Sequence, residues 1–193
     1  MRKLTLEDIL DLRAYERERE AYRSSIIEMK RDRRIPLGEI VTLVFENTET
    51  MRFQVQEMAR AERMVRDEQI EHEVATYNEL IPDDGKLSAT LFIELHSEEE
   101  LRRWLPALVG IERHVAFRFP DGSEARASAI DEERLTREET TPAVHFVRFA
   151  LEPDQRSAFA AGPVRIVVDH PEYPTDVALD DAQRAALAAD LDA

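Results

Sequence analysis

The sequence predicts an α+β protein: a largely antiparallel sheet of about six to seven strands, two long helices in the N-terminal half and short helices in the C-terminal half. Three observations predict it. Helical periodicity dominates the first part of the chain, from Leu6 to Arg33 and again toward Tyr77. Strand-like runs crowd the rest, and tight turns such as Pro120-Asp121-Gly122 join neighbouring runs, which makes them antiparallel. The 193 residues, 43% of them hydrophobic, with only 5 Gly and 9 Pro, suffice for one packed core. We therefore expect a single domain over residues 1–193. A helix–hairpin–helix lobe at 1–82 is the one candidate for separation from a strand-rich acidic part at 83–193.

Taken in order, Thr5 with Asp8 reads as a helix cap, opening a helix from Leu6 whose apolar positions include Leu12, Tyr15, Tyr22, Ile26 and Met29. Between the two tyrosines the run Glu16-Arg17-Glu18-Arg19-Glu20 is wholly charged, as suits a solvated or partner-facing helix. Ile40–Phe45 and Met51–Val55, around Glu46–Thr50, read as a hairpin, and Glu57–Tyr77 as the second helix with Met58, Ala61, Val65 and Val74 inward. Pro82-Asp83-Asp84-Gly85 is a turn. Strands follow at Leu87–Leu95, His114–Phe119, Ser123–Ile130, Pro142–Leu151 and Val164–Val168. Ser97-Glu98-Glu99-Glu100 is a capping box before a short helix carrying Trp104; another short helix lies around Gln155–Ala160, and Asp180 caps a last, Ala-rich one.

The totals exclude several functions. Without cysteine there is no disulfide, no Cys-ligated zinc or iron–sulfur cluster, and no thiol nucleophile. No apolar run approaches the ~20 residues a membrane helix needs, and none follows Met1-Arg2-Lys3 as a secretory leader would require, so a cytoplasmic protein is expected. A formal net charge of -15 disfavours nucleic acid. That charge is uneven: residues 1–70 carry 14 Lys+Arg against 15 Asp+Glu, and residues 71–193 carry 12 against 26. The basic run Lys30-Arg31-Asp32-Arg33-Arg34 falls at a helix C-terminus, where cations offset the macrodipole.

Two clusters are candidates for a site. His145 shares a strand face with Ala143, Val147 and Phe149; His170 shares one with Val164, Ile166 and Val168 and adjoins Asp169. Such a trio, with Glu94 or His96, would suit a divalent metal, the one cofactor these residues suggest. Core histidines bonded to backbone are the commoner outcome. Tyr173 closes the same polar stretch, Asp169-His170-Pro171-Glu172-Tyr173, at a strand end. Gln54, Gln56, Glu57 and Arg60, at the expected strand-to-helix turn, would either bind a polar ligand or knit the hairpin to the first helix. Glycine-rich phosphate loops, Gly-x-Ser-x-Gly and His-Glu-x-x-His are absent from the sequence.

Several stretches together resemble the bacterial family called domain of unknown function 3501: Leu4–Ile9, Ile40–Asn47, Arg52–Met58, Thr76–Pro82, Leu87–Leu95, Val109–Arg113, Ala143–Phe149 and Val168–Pro171. The resemblance covers nearly the whole chain. It carries over no activity and no catalytic residues. It implies genes lying beside those of rubrerythrin-like proteins and iron–sulfur reductase subunits, hence a rubrerythrin-like or iron–sulfur partner. The expectation is a non-catalytic accessory or interaction protein in a redox or oxidative-stress system. The alternative is a metal-binding protein or metal-dependent enzyme using the strand histidines. A homodimer paired through Tyr15, Tyr22 and Ile26 of the first helix is the third expectation.

Overall fold

A computed structural model describes residues 1–130 and 140–192. Among them an eight-stranded antiparallel sheet is the frame, in the order β1-β2-β3-β6-β5-β4-β7-β8. Its strands are β1 (Arg34–Leu37), β2 (Val41–Glu46), β3 (Lys86–Ile93), β4 (Val115–Arg118), β5 (Glu124–Ala129), β6 (Val144–Ala150), β7 (Arg165–His170) and β8 (Tyr173–Ala178). Six helices surround it: α1 (Leu12–Arg31), α2 (Thr48–Ala61), α3 (Asp67–Asn78), α4 (Glu98–Ala107), α5 (Pro153–Ala161) and α6 (Asp181–Leu191).

The sheet curls nearly into a barrel. Its edges are β1 and β8, each bearing a proline (Pro36, Pro174), a residue that cannot donate to a ladder and so belongs at an edge. The Tyr173 hydroxyl on β8 bridges them, donating to the Leu37 carbonyl at 2.8 Å and accepting from the Ile40 amide at 3.1 Å. Gly38 makes this approach possible. Its φ is +83°, and a Cβ there would stand 2.5 Å from the Tyr173 oxygen. Tyr173 is thus a lock between sheet edges.

Strand alternation divides the residues between two cores. Inward-facing Leu43, Phe45, Leu91, Phe117, Val147, Phe149 and Ile166 fill the barrel, where the Phe117 ring lies 4.7 Å from that of Phe149 and 5.2 Å from that of Phe159 on α5. Helix α4 and the 3-10 turn Ile111–Arg113 close one end, with Trp104 edge-on to Tyr173 at 5.9 Å. Helices α5 and α6 supply Phe159, Leu187 and Leu191 to the same core. Helices α2 and α3 form a second core with the amino-terminal segment, through Leu4, Met51, Val55, Val74, Leu80 and Ile81, against Phe146 on the outer face of β6.

The N-terminal half corrects the expected layout. Met51–Val55 is not a strand: Asn47 caps Thr50 and sends the chain into α2, so the first hairpin is β1–β2. The expected second helix is two helices, broken where Arg63 takes φ of +53° and Val65 turns outward. Thr5 and Asp8 do form a capping box, but around a 3-10 turn; α1 itself begins one residue after Asp11, whose carboxylate accepts from the Arg13 and Ala14 amides. The face of α1 expected to pair with a second copy is used within the chain. Tyr15 and Ile26 are buried, and Tyr22 packs edge-on to Phe53 of α2 at 5.6 Å beneath the Arg52 guanidinium.

Candidate functional site

Between the helices and the outer sheet face lies a crevice of about 190 Å³. Its floor is Glu46, the last residue of β2, and Thr90 on β3, both of which alternation turns away from the barrel and toward the helices. Apolar walls come from Met51 of α2, Leu80, Phe92 and Phe146, and polar side chains enter from α1 (Lys30), α2 (Gln54) and α3 (Tyr77).

Glu46 is 4% exposed. The Thr90 hydroxyl donates to its Oε1 at 2.7 Å, and Oε2 has no hydrogen-bond partner among the described residues. A carboxylate oxygen buried without a partner costs several kcal/mol. Such an oxygen in a cavity wall is one that an ordered water or a bound donor satisfies. Lys30 completes the electrostatics. The other cations of its run are engaged: Arg31 with Glu28, Arg33 with the buried Asp190, Arg34 with Glu94. Among the described residues no carboxylate oxygen lies within 4.0 Å of the Lys30 ammonium, Glu46 included.

Of the residues singled out in the sequence, Gln54 alone lines this crevice. Gln56, Glu57 and Arg60 knit. The Gln56 amide accepts from the Leu10 amide and donates to the Leu10 carbonyl, both at 2.9 Å. Glu57 accepts from the Arg19 guanidinium at 2.7 Å and from the Tyr15 hydroxyl at 2.6 Å. The Arg19 contact holds the Glu57 carboxyl below its ordinary range, and burial together with that carboxylate pushes the Tyr15 phenol up. Arg60 binds Glu16 at 2.6 Å. Glu46, Lys30 and Tyr77 were not selected as site residues in the sequence. The available signal was a Glu ending an otherwise apolar strand, Val41–Glu46, that is buried along its whole length.

The trio expected to hold a metal is not assembled. His145 points into the barrel, fully buried, with Nε2 2.9 Å from the Thr141 hydroxyl. Asp169 lies on the outer surface, bound to Arg126 at 2.8 Å and to His114 Nδ1 at 2.8 Å, and those contacts, Arg126 first, lower its pKa. His170 Nδ1 accepts from the Glu172 amide at 3.3 Å, which leaves Nε2 to donate to the Val109 carbonyl at 3.2 Å, so backbone occupies both ring nitrogens. Glu94 accepts from Thr42 at 2.6 Å and pairs with Arg34 outside the barrel, and His96 is exposed. Among the described residues no group of three or more histidines, cysteines and carboxylates is placed to hold a metal ion.

Inside the barrel His145 faces a second buried acid. Its Nδ1 stands 3.7 Å from Glu112 Oε2, beyond hydrogen-bond length, and neither atom has a hydrogen-bond partner among the described residues. Desolvation lowers the His145 pKa against the opposing pull of Glu112, so the ring is buried neutral. An unfolded histidine titrates near 6.5. Stability is therefore complete above that pH and is lost as pH falls toward the folded-state value, by up to ~1.4 kcal/mol per pH unit. Thermal midpoints are expected to drop between pH 7 and 5, and His145→Gln to flatten that drop; an unchanged slope in the variant would remove His145 as its source.

The sequence model of a family described as "Protein of unknown function (DUF3501)" matches residues 3–191. A crystal structure of a protein of unknown function from Burkholderia pseudomallei K96243 is 38% identical, with a TM-score of 0.91, over 98% of this chain and 100% of that one. No curated protein matches the sequence. No helix among the described residues is long and apolar enough to cross a membrane.

Proposed function

The chain belongs to the DUF3501 family of proteins of unknown function; from its crevice we propose that it is a non-catalytic binding protein that takes a small molecule presenting an ammonium group to Glu46. The observation that carries this reading is the unpartnered Oε2 of a 4%-exposed carboxylate in the wall of a 190 Å³ cavity. At ~30 Å³ per water the space holds about six solvent molecules, less than the ~300 Å³ at which drug-sized sites begin. The occupant is accordingly a small metabolite. Thr90 holds Oε1 and orients the carboxylate as a counter-ion, and an ammonium reaches the covered Oε2 as the crevice side chains over it move aside.

Thermal unfolding in the presence of isoamylamine, a small apolar amine, tests the reading. The wild-type midpoint is expected to rise with amine concentration, by the equivalent of ~2.7 kcal/mol at a hundred times the dissociation constant. The Glu46→Gln variant, similar in shape but uncharged, should show little of that rise. A flat wild-type response, or an equal rise in the variant, would defeat the proposal. An accessory role beside a rubrerythrin-like or iron–sulfur partner rests on the family resemblance alone. It is compatible with a ligand-sensing protein of this kind, and affinity purification from native cells without such a partner would count against it.

A further inference from the structure

Resting on the reading of the crevice as a ligand site, we infer that its ligand class is the α-amino acids with a short apolar side chain. The crevice offers three chemistries at once. Glu46 Oε2 is an acceptor without a donor among the described residues, buried in the wall of the crevice. Lys30 is a cation without a carboxylate within 4.0 Å among the described residues, although it lines the same cavity and its neighbours Arg31, Arg33 and Arg34 are all paired. Phe92, Phe146, Met51 and Leu80 are the apolar surface between them.

A simple amine would satisfy Glu46 but leave Lys30 without a counter-ion. A simple carboxylate would satisfy Lys30 but bring a second negative charge toward Glu46. A molecule with both groups and a hydrocarbon branch answers all three. The ammonium donates to Oε2, the carboxylate receives the Lys30 ammonium on its flexible stem, and the side chain lies among the four apolar residues. The volume of about 190 Å³ leaves room for a molecule of that size and little more.

Isothermal titration calorimetry with L-leucine, isoamylamine and 4-methylpentanoate separates the alternatives. The three share a branched apolar chain, and the last two each lack one charged end of L-leucine. L-Leucine is expected to bind at least ten-fold more tightly than either. Lys30→Met, a change on a partly exposed side chain, should reduce L-leucine to the level of isoamylamine, while isoamylamine, relieved of a neighbouring cation, binds no more weakly than to the wild type. Glu46→Gln should abolish both. Equal binding of L-leucine and isoamylamine would overturn the amino-acid assignment while leaving the carboxylate-floored site intact. Tighter binding of 4-methylpentanoate would overturn the assignment and the role of Glu46 together, and absence of binding by all three would overturn both readings.

Discussion

Replacing Asp190 by alanine is expected to cost about 3–5 kcal/mol of stability, although only three residues of the sequence follow it. Asp190 on α6 and Arg33, just before β1, are each 7% exposed, and both Nη nitrogens of the guanidinium meet the carboxylate, Nη2 at 3.0 Å. The pair joins residues 157 positions apart, pinning the C-terminal helix to the start of the sheet. Removing the acid strands a buried guanidinium, and that desolvation, more than the lost attraction, sets the size of the effect. Urea denaturation measures it. The double variant Arg33→Met/Asp190→Leu should recover most of the loss, because two apolar groups in the same space leave nothing unpaired. A single-variant loss below about 1 kcal/mol would mean that water reaches the pair.

The second large effect is expected at Phe117. Its ring is fully buried and lies within 6 Å of Phe45, Phe149 and Phe159, so it joins two barrel walls to α5. Truncation to alanine removes those contacts and opens a cavity inside a nearly closed barrel that collapses poorly, for a loss of about 3–5 kcal/mol. Leu101→Ala, on a residue 40% exposed on α4, serves as the control and should stay within about 0.5 kcal/mol. Equal losses at both positions would contradict the barrel as the main core.

The α+β class, the antiparallel pairing and most C-terminal elements were legible because alternation and capping act locally. Ser97 and Asp180 cap α4 and α6 as their sequences indicate, and β6 alternates buried and exposed residues through Val147 and Phe149. The edge strands were not legible. Pro36 and Pro174 lie within them, and only at the rim of a nearly closed sheet is their missing amide harmless. Met51–Val55 misled because apolar residues there alternate for two steps; the decisive signal was Asn47 with Thr50, a capping pair read as a turn.

The site was harder still. Strand phase placed His145 and His170 on buried faces, but phase says nothing of partners, and Thr141, Val109 and Glu172 are what those rings meet. Glu46 and Lys30 lie 16 residues apart and line one crevice because the β1–β2 hairpin returns the end of β2 to the C-terminal end of α1, where the Phe45 amide donates to the Arg33 carbonyl at 3.0 Å. What the sequence did carry was the basic run at the end of α1, read as an answer to the helix dipole; three of its members found acids and the fourth entered the crevice.

A crystal structure of the protein soaked with L-leucine would show the occupant of the crevice directly. The ligand is expected in the crevice with its ammonium nitrogen about 3 Å from Glu46 Oε2 and its carboxylate against the Lys30 ammonium. A crevice filled by water alone, with Lys30 folded down onto Glu46 as its own counter-ion, would contradict it.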